Sequence, residues 1–212
     1  CASDILDPAR ASGATPLLAD RNAIAPTLFH RLAERAAEAG LAFVDGSISG
    51  CPPRPGGDTM LFLSGVRAEQ LAGYPADGLR RRVVGPEPGT ASAVKMCTAS
   101  VYKGTTAVWA QALQTAETLG VLDVVLADLI EEYPDEVAGA ARRIAVAASK
   151  SGRFVGEMEQ IAATQAAVGA SAELFDGMAA VYARLSRTPL ASLSPEEARD
   201  LYDLADVLSR LS

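Results

Sequence analysis

Two side chains in the stretch 89–103, GTASAVKMCTASVYK, have the chemistry to move a proton: Lys95 and Tyr102. At 3.6 residues per turn, Lys95, Thr98, Ala99, Tyr102 and Thr106 share one stripe of a helix. An ammonium and a phenol on one stripe of an Ala/Val/Met-rich helix are either a proton-handling pair in a cleft or two snorkelling surface groups. A lysine serves as acid or base near neutral pH only where burial or a neighbouring charge lowers its pKa. Other reactive residue types are sparse. His30 is the single histidine and falls on the polar side of a helix, and Cys1, Cys51 and Cys97 have no metal-ligand spacing. Zinc catalysis and a Ser-His-Asp triad therefore have little support, and Trp109 reads as packing.

The elements that must position this stripe change character near residue 88. Residues 17–20 form a short apolar run closed by the polar turn Asp20-Arg21-Asn22, the pattern of a buried parallel strand with a loop at its carboxyl end. Pro26 opens a helix with apolar positions Leu28, Leu32, Ala36 and Ala39, which Gly40 stops before a second strand over 41–45. Strand, helix, strand makes a right-handed crossover. The run 45–57, DGSISGCPPRPGG, is rich enough in Gly and Pro to read as irregular. A third strand at 59–64, a short helix at 66–73 and a fourth strand at 82–84 complete an α/β segment.

After Pro88 the pattern is helical: 89–119, 121–131, 134–149, 153–168, 171–186 and 195–211, with Gly120, Pro134, Gly152, Gly169, Pro189 and Pro195 at or near the limits. Ser194-Pro195-Glu196-Glu197 is a helix start with a cap, a first-position proline and acids in the first turn. The expected architecture is α/β plus all-α, with a partial parallel sheet in 1–88 and a helical domain in 89–212. Alanine-rich helix faces beyond one small core predict a subunit partner, a homodimer through the helical domain.

Composition narrows the function classes. A formal charge of −7 and a pI near 4.8 argue against a nucleic-acid partner, and the one basic cluster, Arg80-Arg81-Arg82, reads as a solvated strand end. Hydrophobic residues make up 49% of the 212, enough for a real core. No apolar run is long enough to cross a membrane, and the cysteine usage suits a reducing compartment. The expectation is a soluble, cytoplasmic protein.

In order and spacing, Asp20-Arg21-Asn22, Phe43-Val44-Asp45-Gly46, Ser47-Ile48-Ser49-Gly50, Gly89, Lys95-Met96, Lys103-Gly104-Thr105 and Val155-Gly156-Glu157-Met158-Glu159 resemble the β-hydroxyacid dehydrogenase and 6-phosphogluconate dehydrogenase superfamily, and within it the branch with a DUF1932-type C-terminus. The resemblance implies a partial Rossmann-type parallel sheet followed by an all-helical 6-phosphogluconate dehydrogenase-like domain. It implies a nicotinamide cofactor, NADP or NAD, and hydride transfer to or from a small, anionic hydroxy acid or related carbonyl substrate. Lys95 then aligns with the family's acid/base lysine. Tyr102 falls where 6-phosphogluconate dehydrogenases carry an acidic proton donor. Ser47, Ser49, Gly50 and Thr98 become substrate contacts, and Asn22 lies at the nicotinamide end of the cofactor.

The chain departs from the family pattern in four places. Cys51 stands where a second glycine is common, Ala99 where asparagine is usual, and Glu157 near a motif that is usually Lys-Asp. No stretch matches the strand, G-x-G-x-x-G and helix of a phosphate loop. The resemblance thus implies that the first half of the dinucleotide domain precedes Cys1. Two alternatives stay open: an imine reductase-like enzyme, although such enzymes usually replace the lysine, and a noncatalytic relative acting as a helical dimerisation module.

Overall fold

The strands of the sheet lie within residues 17–85, and helices dominate residues 90–209. The computed structural model describes residues 16–50 and 52–211, so Cys1 and Cys51 fall outside the described residues. It divides into two compact units. The first comprises the chain up to Thr98 together with Ala163–Ala170, and the second Ala99–Ala162 with Ser171 onward.

In the first unit, β1 (Leu17–Asp20), α1 (Pro26–Glu38), β2 (Ala42–Ser49), β3 (Thr59–Ser64), α2 (Ala68–Ala72) and β4 (Leu79–Gly85) build a four-stranded sheet in the order β1-β2-β3-β4. β1 pairs with β2 in parallel, with Asp20 opposite Asp45, and β3 pairs with β4 in parallel. β2 and β3 run antiparallel, from Asp45↔Ser64 to Ser49↔Met60. The α/β plus all-α class stands, and two of the three strand pairs carry the expected parallel direction. On one side of the sheet Val44, Leu61, Leu63 and Ala68 form a core joined by Leu17, Ile48, Leu71 and Val83. On the other, Ala36 and Leu41 pack with Leu18 and Phe43, and the Phe29 and Phe43 rings meet at 5.2 Å.

The expectation of an irregular segment from residue 45 is corrected at its start, because β2 continues to Ser49. Glycine in this strand serves close approach instead of a turn. A Cβ on Gly46 would lie 3.0 Å from Arg21 Cγ and 3.3 Å from the Asp20 carbonyl oxygen, so only glycine lets the end of β1 sit this near.

The long helix α3 (Thr90–Thr118) follows Gly89, whose φ of +92° favours glycine and whose Cβ would crowd His30 Nε2 and the Pro26 carbonyl oxygen, each at 3.2 Å. α3 is counted with the first unit through Thr98 and with the second from Ala99. The second unit adds α4 (Leu122–Glu132), α5 (Pro134–Ala148), α6 (Ser151–Ala167, its last turn counted with the first unit), α7 (Glu173–Leu185), a 3₁₀ turn at Pro189–Ser192, α8 (Pro195–Arg199) and α9 (Leu204–Ser209). Its core is built on Leu113, Ile144, Met158, Ile161, Tyr182, Leu185, Leu190 and Leu208, interleaved with alanines of α5 that allow close helix contact. The single helix expected over 195–211 is instead two. Ser194 and Glu197 close a capping box on α8, and Asp203 caps α9 by accepting from the Ala205 and Asp206 amides, so the chain restarts where continuous periodicity suggested it would run on.

Candidate functional site

The first unit brings the start of α3 against β2. Lys95 is half-buried, and its Nζ donates to the Ile48 carbonyl oxygen at 2.5 Å. Ser49 and Gly50 follow directly, Ser49 half-buried at the carboxyl end of β2 and Gly50 exposed with φ +101°. β1 and β2 run in parallel toward the same carboxyl-end edge of the sheet; β1 stops opposite Asp45 and leads into the loop carrying Asn22, while β2 runs on to Ser49 before the loop at Gly50. In open α/β sheets this edge, beyond the carboxyl ends of parallel strands, is where ligands bind. Asn22 is exposed there, its backbone N–H and side-chain Nδ2 both donating to Asp20 Oδ1, at 2.8 and 2.6 Å. This Asx-type turn fixes the residue locally.

Ser47 occupies a different environment from Ser49. It is 2% exposed, and its Oγ is buried with no hydrogen-bond partner among the described residues. Thr98 Oγ1 donates back to the carbonyls of Val94 and Lys95, so its hydroxyl proton is held by its own helix. Tyr102 belongs to the second unit, where it is 70% exposed. The structure therefore gathers Lys95, Ser49 and Gly50 in one place on the first unit, leaves Asn22 on the loop after β1, which ends opposite Asp45 and short of Ser49, and buries Ser47 beneath the surface. Ala99 is buried. His30 is exposed on α1, and Trp109 meets Tyr133 edge-on at 6.3 Å, each as expected of it.

Sequence reasoning passed over a buried polar cluster beside Lys95. Asp45, fully buried in β2, accepts from the Ser92 N–H at 2.8 Å, from Ser92 Oγ at 2.9 Å and from Ser64 Oγ at 3.2 Å, while Ser64 Oγ accepts from the Ala91 N–H at 3.0 Å. Burial pushes the Asp45 carboxyl above its usual range, and the hydrogen bonds from Ser92, Ser64 and Gly89 pull the other way without cancelling it. The signal available in the sequence was an acid placed inside an apolar strand run, Phe43-Val44-Asp45.

A second cluster lies wholly within the second unit. Lys103 of α3 pairs with Glu157 of α6 and sits 4.3 Å over the Phe154 ring, and Arg153 reaches the same carboxylate at 3.0 Å. Tyr182 donates its hydroxyl to the Lys103 carbonyl oxygen at 2.7 Å and meets Phe154 edge-on at 5.2 Å. Burial raises the Tyr182 phenol strongly, so it stays protonated. No group of three or more His, Cys, Asp or Glu among the described residues is placed to hold a metal ion, and no described helix is long and apolar enough to cross a membrane.

Comparison with known proteins gives a family match and several structural ones. Residues 116–185 match the model of a domain of unknown function, DUF1932. A conserved hypothetical protein of Sinorhizobium meliloti 1021 superposes with a TM-score of 0.75 at 25% identity, over 99% of this chain and 73% of that one. The conserved protein MTH1747, of unknown function and described as structurally similar to 3-hydroxyacid dehydrogenases, gives 0.68 at 28% identity over 85% of this chain and 70% of its own. A 3-hydroxyisobutyrate dehydrogenase of Mycobacterium tuberculosis, solved with L-serine, gives 0.58 at 18% identity over 99% and 76%, a likeness of fold. Comparison with curated proteins finds no match.

Proposed function

We propose that this chain, which has a β-hydroxyacid dehydrogenase-like fold with a DUF1932 domain in its C-terminal part, belongs to an NAD(P)-dependent oxidoreductase that interconverts a small anionic hydroxy acid and the corresponding carbonyl compound. The observation that carries this reading is the Lys95 ammonium held on the Ile48 carbonyl, beside Ser49 and Gly50, at the carboxyl end of β2. A nicotinamide cofactor supplies or accepts the hydride when bound. The residues present fit its nicotinamide end, with the exposed Asn22 loop at the strand ends as the contact. The glycine loop that cradles a pyrophosphate has no counterpart in this sequence.

In the reducing direction Lys95 gives a proton to the carbonyl oxygen, and in the oxidising direction it takes one from the hydroxyl. An ammonium carries three N–H donors, and the one given to Ile48 orients the head group on β2. Ser49 and Gly50 anchor the substrate's anionic group, the glycine allowing close approach to the backbone. Ser47, buried as it is, shapes the strand beneath them.

The test is nicotinamide fluorescence and hydride transfer by the complete chain with a panel of 2- and 3-hydroxy acids. Lys95→Ala should lower turnover by roughly 10²–10⁴ and leave cofactor binding intact, whereas Tyr102→Phe should change it by less than tenfold. Cofactor binding without turnover on any substrate would favour a noncatalytic relative, and turnover of cyclic imines an imine reductase.

We further propose that the second unit forms a homodimer. Helix α4 has no buried residue despite the apolar Val124, Val125 and Ile130, and it borders an apolar groove of about 660 Å³ lined by α3 and α7 residues including Val108, Ala112, Leu174 and Val181. One unit thus carries both an uncovered apolar helix and a groove, the self-complementary pairing of a two-fold dimer. Val124→Asp should convert a dimer to a monomer by light scattering, and a monomeric parent chain would refute the proposal.

A further inference from the structure

We propose that Asp45 is a positioning residue for Lys95: from β2 it anchors the first turn of α3, so that the lysine one turn later meets the Ile48 carbonyl. This rests on the reading of Lys95 given above. Strand and helix are tied at two points with equal spacing in sequence, Asp45 to Ser92 and Ile48 to Lys95. Three residues of strand advance about 10 Å and three of helix about 4.5 Å. The long lysine side chain makes up the difference, so the direction of α3 over β2 sets where the ammonium lies. Asp45 fixes that direction. Its carboxylate accepts from both the N–H and the hydroxyl of Ser92, and Ser64, which also donates to it, accepts from Ala91.

A carboxylate receiving the first amides of a helix also meets the positive end of the helix dipole, which favours the tight bonds seen. Ser47 lies between Asp45 and Ser49 on the same strand face, and its buried Oγ contributes no hydrogen bond among the described residues. Asp45 is fully buried and so is not a substrate contact. Burying a carboxylate in an apolar strand run is costly unless it is hydrogen-bonded, and here each of those bonds aims the helix that carries Lys95.

The experiment follows the Lys95 ammonium by its ¹H–¹⁵Nζ signal in the whole chain, identified by its loss in Lys95→Arg. Asp45→Ala should shift or broaden that signal, raise the Ser92 amide exchange rate at least tenfold and speed reductive methylation of Lys95 at least fivefold, with Lys150 unchanged. Asp45→Asn, which keeps an acceptor for Ser92, should restore most of the parent behaviour. If Asp45→Ala does not fold, Ser92→Ala and Ser64→Ala decide by the same readouts. A folded Asp45→Ala chain, or both serine variants, with the Lys95 signal and reactivity within twofold of the parent overturns the proposal. None of these readouts needs turnover. A chain that transfers no hydride yet shows them loses the functional reading and keeps the positioning one.

Discussion

Removing the Glu157 carboxylate should destabilise the second unit by an amount the structure allows us to bound. The Lys103 and Glu157 side chains are 15% and 13% exposed, so they form a largely desolvated pair and not a surface one. Deleting one partner of a buried pair costs about 3–5 kcal/mol, because a charge stays behind without compensation. Two features soften the loss in Glu157→Gln: the Phe154 ring still lies 4.3 Å beneath the ammonium, a contact of about 1–2 kcal/mol, and the glutamine oxygen still accepts one hydrogen bond. The expected cost is therefore about 2–3 kcal/mol, a shift of about 1–1.5 M in a urea midpoint with a slope near 2 kcal/mol/M. Trp109 is the only tryptophan and lies in this unit, so its fluorescence reports the transition. Glu159→Gln, exposed on the same helix, is the control. The double variant Lys103→Met with Glu157→Leu should lie within about 1 kcal/mol of the parent, since apolar replacement removes both desolvation costs. A single variant within about 0.5 kcal/mol of the parent, or a double variant no better than the single, would refute the reasoning.

Two further predictions concern packing and pH. A Cβ on Gly104 would lie 3.1 Å from Met178 Sδ and 3.8 Å from the Phe175 ring. Gly104→Val should therefore overpack the α3–α7 contact and cost about 1–3 kcal/mol by urea denaturation. Asp45 has its folded pKa raised above the ordinary 3.8 by burial, so near that range the folded chain binds the proton more readily than the unfolded one. Stability contributed at this site accordingly falls as pH rises through the raised pKa. The stability of the parent relative to Asp45→Asn should increase as pH is lowered from neutral toward 3.8, measured by denaturation at each pH, and a gap that shrinks on acidification would contradict the assignment.

The alternation of short apolar runs with helical periodicity placed β1, α1, β3 and most of the second unit's helices, because Gly40, Gly120, Pro134 and Pro195 stop or start elements for reasons local to the backbone. The motif order from Asp20 to Glu159 was enough to point to the β-hydroxyacid dehydrogenase-like fold, with Asp20-Arg21-Asn22 and Ser47-Ile48-Ser49-Gly50 at strand ends and the later motifs inside α3 and α6. Residue order along the helix also put Lys95 one turn past Ser92. What the sequence does not encode locally is which partner a strand or side chain finds. The glycine and serines of 45–49 looked like turn formers until pairing with β3 and the close approach of Arg21 made them strand. Asp45 read as the polar end of a strand, and only the packing of α3 on β2, bringing together groups 47 residues apart, made it a helix anchor. The same separation lies between Ile48 and Lys95. A hydrogen bond across that distance depends on the direction of two elements, which no local propensity specifies, and so the lysine's place on its helix was legible in the sequence while its partner on β2 was settled by the fold.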